Sequence, residues 1–278
     1  MVLSSYAKIN LSLTINSSQK NNLHEIQSYF CIINLKDKIK LKKIKEKKDK
    51  ISFKGPFAKL VNKSNNSVIS LLKMLRRSRI ISDYYSVTIF KNIPVFAGLG
   101  GGTGNAAVIL KHLCKQKVNR KLLNQAEKAI GSDLRLFFYN QGFLKNLQTI
   151  IDFKKKQKLF FVLIRPNIRC STKEIYSNVK KFSKKQSLKK NVIKNKFRFI
   201  SYLSKSSNDL QSIVEKKYPI IKELLINIGN EKGCYFSRMT GSGSVCYGLF
   251  NNQIKAKKAL NNLKTKYPKF WSSLAKTV

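Results

Sequence analysis

Five glycines, Gly98, Gly100, Gly101, Gly102 and Gly104, crowd the short segment between Pro94 and Asn105-Ala106-Ala107. A glycine backbone takes positive φ at no steric cost and lets an anion approach where a Cβ would stand in the way. The run leads into an Ala-rich helix, read as starting at Asn105, whose first turn offers free N–H groups and the positive end of a dipole. The chemistry that this combination can do is to cradle the phosphates of a nucleoside triphosphate. No Gly-Lys-Ser/Thr closes the loop, so it is not a Walker A sequence. The glycine spacing and Pro94 upstream also differ from the dinucleotide-binding fingerprint.

Other reactive residue types restrict the chemistry by what they cannot do. The five cysteines, Cys31, Cys114, Cys170, Cys234 and Cys246, are odd in number and form no C-x-x-C pair, which argues against a disulfide framework and a structural zinc site. Two histidines, His24 and His112, cannot build a His-rich metal site. The formal net charge of +43 raises the question of a basic patch for nucleic acid or membrane. Lysine is spread along the whole chain, however, and far outnumbers arginine, whose planar fork is the better partner for guanine and phosphate. The charge is therefore read as a protein-wide drift toward lysine on solvated faces, with no specific nucleic acid and no membrane expected as partner. No apolar run approaches the ~20 residues that cross a bilayer. The first apolar residues alternate with polar ones, unlike a signal peptide, and the expected location is cytoplasmic.

The elements that must position the glycine-rich loop follow from periodicity. A hydrophobic fraction of 42% supports a real core. Residues 6–15 alternate, with Ile9, Leu11, Leu13 and Ile15 on one side, and read as one half-buried strand. Residues 25–35 read as a second strand and 37–44 as a third, whose lysines face water; the charge run continues to Lys50 as a solvated hairpin. A helix over 67–79, with Asn66 or Ser67 as N-cap, precedes a strand at 85–90. Helical stretches run to about Ile130, and 160–164 is a buried strand. The Lys- and Ser-rich stretch 180–205 reads as a surface insertion or loosely held helices. Helices at 207–228, strands at 233–237 and 244–250 and a helix at 252–265 complete the chain. Composition changes near 150–158.

The loop resembles the phosphate loop of the GHMP kinases, in the form with three successive glycines typical of the diphosphocytidyl-methylerythritol kinases. Four further segments match that family in the same order: Ala7-Lys8-Ile9-Asn10-Leu11, His24-Glu25-Ile26-Gln27, Gly131-Ser132-Asp133, and Met239-Thr240-Gly241-Ser242-Gly243-Ser244. Asn208-Asp209-Leu210 is similar to a helix start of the family, and Trp271 to its C-terminal Trp. The resemblance implies a two-domain α/β (α+β) fold: a ribosomal-protein-like ATP-binding domain over 1–155 and a ferredoxin-like substrate-binding domain over 156–278. It implies Asp133 as the base, with Lys8 beside it. ATP would be held by Asn66, Lys91, Pro94, Gly98, Leu99, Gly100, Gly101, Gly102, Thr103, Gly104 and Asn105, with Mg2+ bridging the phosphates and no side-chain metal site. A cytidine-bearing substrate would be held by Asn10, Leu23, His24, Tyr176, Thr240 and Gly241. Monomer and homodimer both remain open.

The chain departs from the family pattern at three places. Gly104 stands where a serine is usual, Leu134-Arg135-Leu136 replace Val-Pro-Phe after Asp133, and Leu23 replaces the Tyr that precedes the His. Two alternative functions follow: another GHMP kinase of homoserine or mevalonate type, or a decayed kinase-like protein that binds RNA through its charge. The three-glycine loop and the His-Glu-x-Gln segment speak against the first. Arg135 and the missing hydroxyl at position 104 would suit the second.

Overall fold

A computed structural model describes residues 1–18, 24–115 and 117–278. In chain order the N-terminal half contains β1 (Val2–Asn10), β2 (Thr14–Ser18), β3 (His24–Ile44), β4 (Lys50–Lys54), α1 (Ser67–Arg77), β5 (Tyr84–Phe90), α2 (Gly101–Leu113) and α3 (Arg120–Ile130). A 3₁₀ turn, Ser132–Phe138, follows, then β6 (Gln141–Asn146), β7 (Thr149–Asp152) and β8 (Phe160–Arg165). The remainder is α4 (Thr172–Ser177), α5 (Lys190–Lys194), α6 (Lys196–Ser204), α7 (Gln211–Lys217), α8 (Ile220–Gly229), β9 (Cys234–Met239), β10 (Cys246–Phe250), α9 (Gln253–Lys266) and β11 (Trp271–Lys276). This is the expected mixed α and β fold. Leu23, expected at the substrate, lies outside the described residues.

The chain forms two compact units, neither continuous in sequence. The first comprises 1–8, 35–95 and 100–139, the second 9–34, 96–99 and 140–278. In the first unit β5 lies between the second half of β3, antiparallel to it, and β4, parallel to it. The Lys-rich run after Ile44 is thus a connection to a strand beyond β5, not a hairpin. Ile39 and Leu41 turn into the core while Lys38, Lys40 and Lys42 face water, as the alternation requires. Helix α1 is capped by Asn66, whose Oδ1 accepts from Val68 N and Ile69 N at 3.1 Å each, and buries Val68, Leu71, Leu72 and Leu75 on one stripe.

In the second unit β8, β9, β10 and β11 form an antiparallel sheet in the order β11-β8-β10-β9. Its strands are apolar runs; Phe161, Val162, Leu163 and Ile164 of β8 are all buried. The first half of β3 pairs with β2 and β6, and Tyr29, Phe143, Phe153 and Phe199 form an aromatic core there. The single strand expected over 6–15 ends at Asn10, because Leu11 N and Ser12 N both turn to Tyr29 O, at 2.6 and 3.3 Å. The helices expected over 207–228 are interrupted at Tyr218-Pro219, since proline carries no N–H for a helix interior.

Candidate active site

In the first unit the glycine-rich segment becomes a helix N-terminus. Gly100 adopts φ +68, a left-handed conformation natural to glycine, and α2 starts at Gly101, four residues earlier than the Ala-rich pattern suggested. Gly101, Gly102 and Thr103 therefore form its first turn, where N–H groups lack helical partners, whereas Gly104 N already donates to Gly100 O at 2.8 Å. Gly100 packs closely: a Cβ there would lie 2.8 Å from the Phe137 ring and 3.2 Å from Lys8 Cγ. Lys8 reaches from β1 with its side chain only 3% exposed and pairs with Asp133, Nζ to Oδ2 3.1 Å; the carboxylate itself is 37% exposed. The helix N-terminus, the lysine and an accessible carboxylate thus meet in one unit, although Lys8 and Asp133 stand far apart in sequence.

The turn that carries Asp133 is held from both ends. Arg135 Nε donates to Glu127 Oε1 at 2.8 Å, and its Nη2 donates to Glu127 Oε2 at 2.5 Å and Asn124 Oδ1 at 2.9 Å. Lys111 Nζ donates to Phe137 O at 2.6 Å, and burial lowers its pKa from the usual lysine value. Arg135 therefore pins the turn to α3, and its guanidinium is engaged by Glu127 and Asn124. Arg135→Leu leaves Glu127 without its cation in a mostly buried place, and one-sided removal of such a pair costs about 3–5 kcal/mol. Calorimetry should show a clear loss of thermal stability, and the Arg135→Lys variant should recover only part of it.

Two expected ATP residues are structurally engaged. Asn66 caps α1, and its Nδ2 donates to Asn62 O at 3.0 Å. Lys91 forms a buried ion pair with Asp37, which also accepts from Asn92 N at 2.8 Å and Ile93 N at 2.9 Å. Lys91 Nζ lies 3.2 Å from where a Gly101 Cβ would stand, which places it by the start of α2. Pro94 is buried in the same unit.

A Cβ at Gly101 would also meet Ile93 Cγ2 at 2.9 Å, so a substitution there disturbs the core. Gly102 is exposed and a Cβ would meet only Ser67 Oγ, at an ordinary 3.4 Å. Gly102→Val is the cleaner test of anion approach: the KM for ATP should rise about tenfold, equivalent to roughly 1.4 kcal/mol, with melting temperature unchanged. An unchanged KM would remove Gly102 from the cradle.

In the second unit Asn10, Thr240, Gly98 and Gly241 interlock. Asn10 N donates to Thr240 Oγ1 at 3.0 Å and Asn10 Nδ2 to Ser28 Oγ at 2.8 Å. Asn10 and Thr240 are both almost wholly buried. Asn208, at the helix start noted in the sequence, donates from Nδ2 to Met239 O and Gly241 O, 2.8 Å each, and so fixes the β9–β10 turn. Leu99 is buried by its side chain. His24, on β3, lies beside Tyr176 of α4, ring centroids 5.2 Å apart. Sequence reading missed Phe182, whose ring is 6.5 Å from His24.

A family model described as GHMP kinases C terminal matches residues 187–269. A 4-diphosphocytidyl-2-C-methyl-D-erythritol kinase from Pelagibacter ubique (strain HTCC1062) is 35% identical over 281 residues, covering 99% of this chain and 98% of that relative. The chain belongs to the 4-diphosphocytidyl-2-C-methyl-D-erythritol kinase family. A crystal structure of a 4-(cytidine 5'-diphospho)-2C-methyl-D-erythritol kinase matches with TM-score 0.75 and 21% identity over 99% of each chain. A homoserine kinase from Cytophaga hutchinsonii matches with TM-score 0.67 and 17% identity, over 100% of this chain and 94% of that one. At such identities these two likenesses speak for the fold alone.

As a diphosphocytidyl-methylerythritol kinase family member, the chain has physical reasons for two of its departures. A side chain at Gly104 would strike the Phe137 ring, Cβ to Cε1 2.8 Å, with Ser5 Oγ 3.2 Å away. Glycine at this position answers to packing under α2. Arg135 answers to Glu127 in the same way. Neither departure removes the Lys8–Asp133 pair or the helix N-terminus.

Proposed function

We propose that this kinase transfers the γ-phosphoryl group of ATP to the 2-hydroxyl of 4-(cytidine 5′-diphospho)-2-C-methyl-D-erythritol, in the cytoplasm, as a step of non-mevalonate isoprenoid precursor synthesis. The observation that carries this reading is the Lys8–Asp133 pair, 3.1 Å apart and packed against Gly100 at the head of α2. In the same proposal 1–155 supplies the ATP-binding domain and 156–278 the substrate-binding domain; the junction falls inside the second compact unit.

Phosphoryl transfer asks little covalent chemistry of the protein beyond positioning, charge neutralisation and a proton acceptor. Backbone N–H groups of the segment 98–105 receive the β- and γ-phosphates, with the α2 dipole behind them. Asn66 and Lys91 face the adenosine side, where Lys91 acts from its pair with Asp37. Asp133 accepts the proton of the attacking hydroxyl. Lys8, paired with that carboxylate, orients the hydroxyl toward phosphorus. His24 and Tyr176 receive the cytosine, while Asn10, Thr240 and Gly241 shape the floor beneath the substrate.

Mg2+ fits this donor set as an ion carried by the nucleotide. Among the described residues no three His, Cys, Asp or Glu side chains gather as a metal site. A small hard cation that keeps phosphate and water oxygens needs few protein ligands. Thr103, in the first α2 turn, and Asn105, whose buried Oδ1 accepts no hydrogen bond among the described residues, are the side-chain oxygens at the start of α2 that suit it. When bound, the ion neutralises charge on the phosphates.

The test is ADP release with the cytidine substrate, homoserine and mevalonate offered in parallel. The proposal expects kcat/KM for the cytidine substrate to exceed the others by orders of magnitude. Comparable turnover of homoserine or mevalonate would transfer the protein to another GHMP activity. No turnover of any would favour the RNA-binding reading.

A further inference from the structure

The stretch after α4, read in sequence as a surface insertion or loosely held helices, is tied down at its start bond by bond. Ser183 N donates to Ile15 O at 2.7 Å, Ser183 Oγ to Asp209 Oδ2 at 2.7 Å, and Asn16 Nδ2 to Ser183 O at 3.0 Å. Three residues on, Gln186 N donates to Gln27 Oε1 at 2.6 Å, and Gln27 Nε2 returns a bond to Gln186 O at 3.0 Å. Gln27 is nearly buried and lies on the same strand as His24. The segment is therefore registered against β2 and β3, and Phe182, directly before Ser183, is placed by that register.

Phe182 is 49% exposed. Large aromatic side chains lie well buried on average, and a lone exposed one needs no explanation. Here three rings gather instead: Tyr176 at 5.2 Å and Phe182 at 6.5 Å both lie near the same His24 imidazole, tilted 45° and 38° to it. Two apolar faces around a histidine, which can donate or accept along its edge, suit a planar heterocycle with a polar rim. A protein partner would ask for a wider apolar area than these rings offer.

We propose that Phe182 is a further substrate-binding residue, which together with Tyr176 forms the aromatic walls of the nucleobase subsite around His24. The assignment rests on the kinase reading above for the identity of the occupant, the cytosine of a cytidine diphosphate ester. Phe182 then supplies a second aromatic face beside Tyr176, from the C-terminal part of the chain.

The experiment measures steady-state kinetics for both substrates on the wild type, Phe182→Ala and Phe182→Tyr, with melting temperature as a fold check. Loss of one base–aromatic stack is expected to raise the KM for the cytidine substrate about five- to 150-fold. The kcat, the KM for ATP and the melting temperature should stay near wild type, and Phe182→Tyr should restore the cytidine KM. Isothermal titration with cytidine 5′-diphosphate alone should weaken by a similar factor in Phe182→Ala. An unchanged cytidine KM in an active enzyme overturns the role of Phe182 and leaves the kinase reading standing. Equal rises in both KM values, or a fall in melting temperature, assign the ring to packing and overturn the proposal. A wild type that does not turn over the cytidine substrate overturns the kinase reading and this assignment with it.

Discussion

Asp133→Asn is expected to lower kcat by roughly 10²- to 10⁴-fold and to leave ATP binding close to wild type. The amide keeps the size and much of the polarity of the carboxylate but cannot take up a proton from the attacking hydroxyl. It also ends the charge pairing with Lys8, whose side chain is only 3% exposed. The turn itself should persist, because Arg135 with Glu127 and Lys111 with Phe137 O hold it independently of Asp133. The measurement is kcat for phosphoryl transfer with a calorimetric ATP titration on the same preparation. Retention of more than about a tenth of wild-type kcat, well outside that range, would make Asp133 a structural partner of Lys8 rather than the base.

The second large effect is expected at Gly98. It holds φ +72, and a Cβ built there would stand 2.0 Å from the carbonyl oxygen of Thr240, a backbone atom with no freedom to swing away. Thr240 is itself tied to Asn10 N, and Gly241 O to Asn208, so the β9–β10 turn cannot yield locally. Gly98→Ala therefore combines left-handed strain with overpacking, the latter alone costing typically about 1–3 kcal/mol. We expect the melting temperature to fall by roughly 5–10 °C, together with a raised KM for ATP as the loop is displaced. A variant with wild-type melting temperature and kinetics would contradict the close approach of Gly98 to Thr240.

The residues of the site were far more legible than their partners. Glycines, a proline and an Ala-rich helix announce a phosphate loop locally, because each acts through its own backbone. Lys8 and Asp133 were legible through family resemblance alone, since no periodicity links the start of β1 to a turn after α3. The start of α2 was misplaced because Gly101 to Gly104 have poor helix propensity, while the tertiary fit of Gly100 against Phe137 and Lys8 fixes the first turn there. Arg135 looked like decay for a related reason. Its meaning lies in Glu127, one α3 position whose mostly buried carboxylate gives no sign in sequence of needing a cation. The stretch after α4 was illegible because lysines and serines hide its anchors, Ser183 to Asp209 and Gln186 to Gln27, which are side-chain bonds across long sequence separations. The charge of +43 is borne mostly on such solvated positions, as Lys38, Lys40 and Lys42 show on β3.

The central claim is that this chain phosphorylates an alcohol of a cytidine diphosphate ester. Phosphorus NMR of a reaction with ATP and 4-(cytidine 5′-diphospho)-2-C-methyl-D-erythritol tests it most directly. The account predicts a new phosphomonoester signal that grows as ADP appears and grows at least about 100-fold more slowly with Asp133→Asn. Release of ADP and inorganic phosphate without that monoester, or a monoester formed equally well by Asp133→Asn, would contradict it.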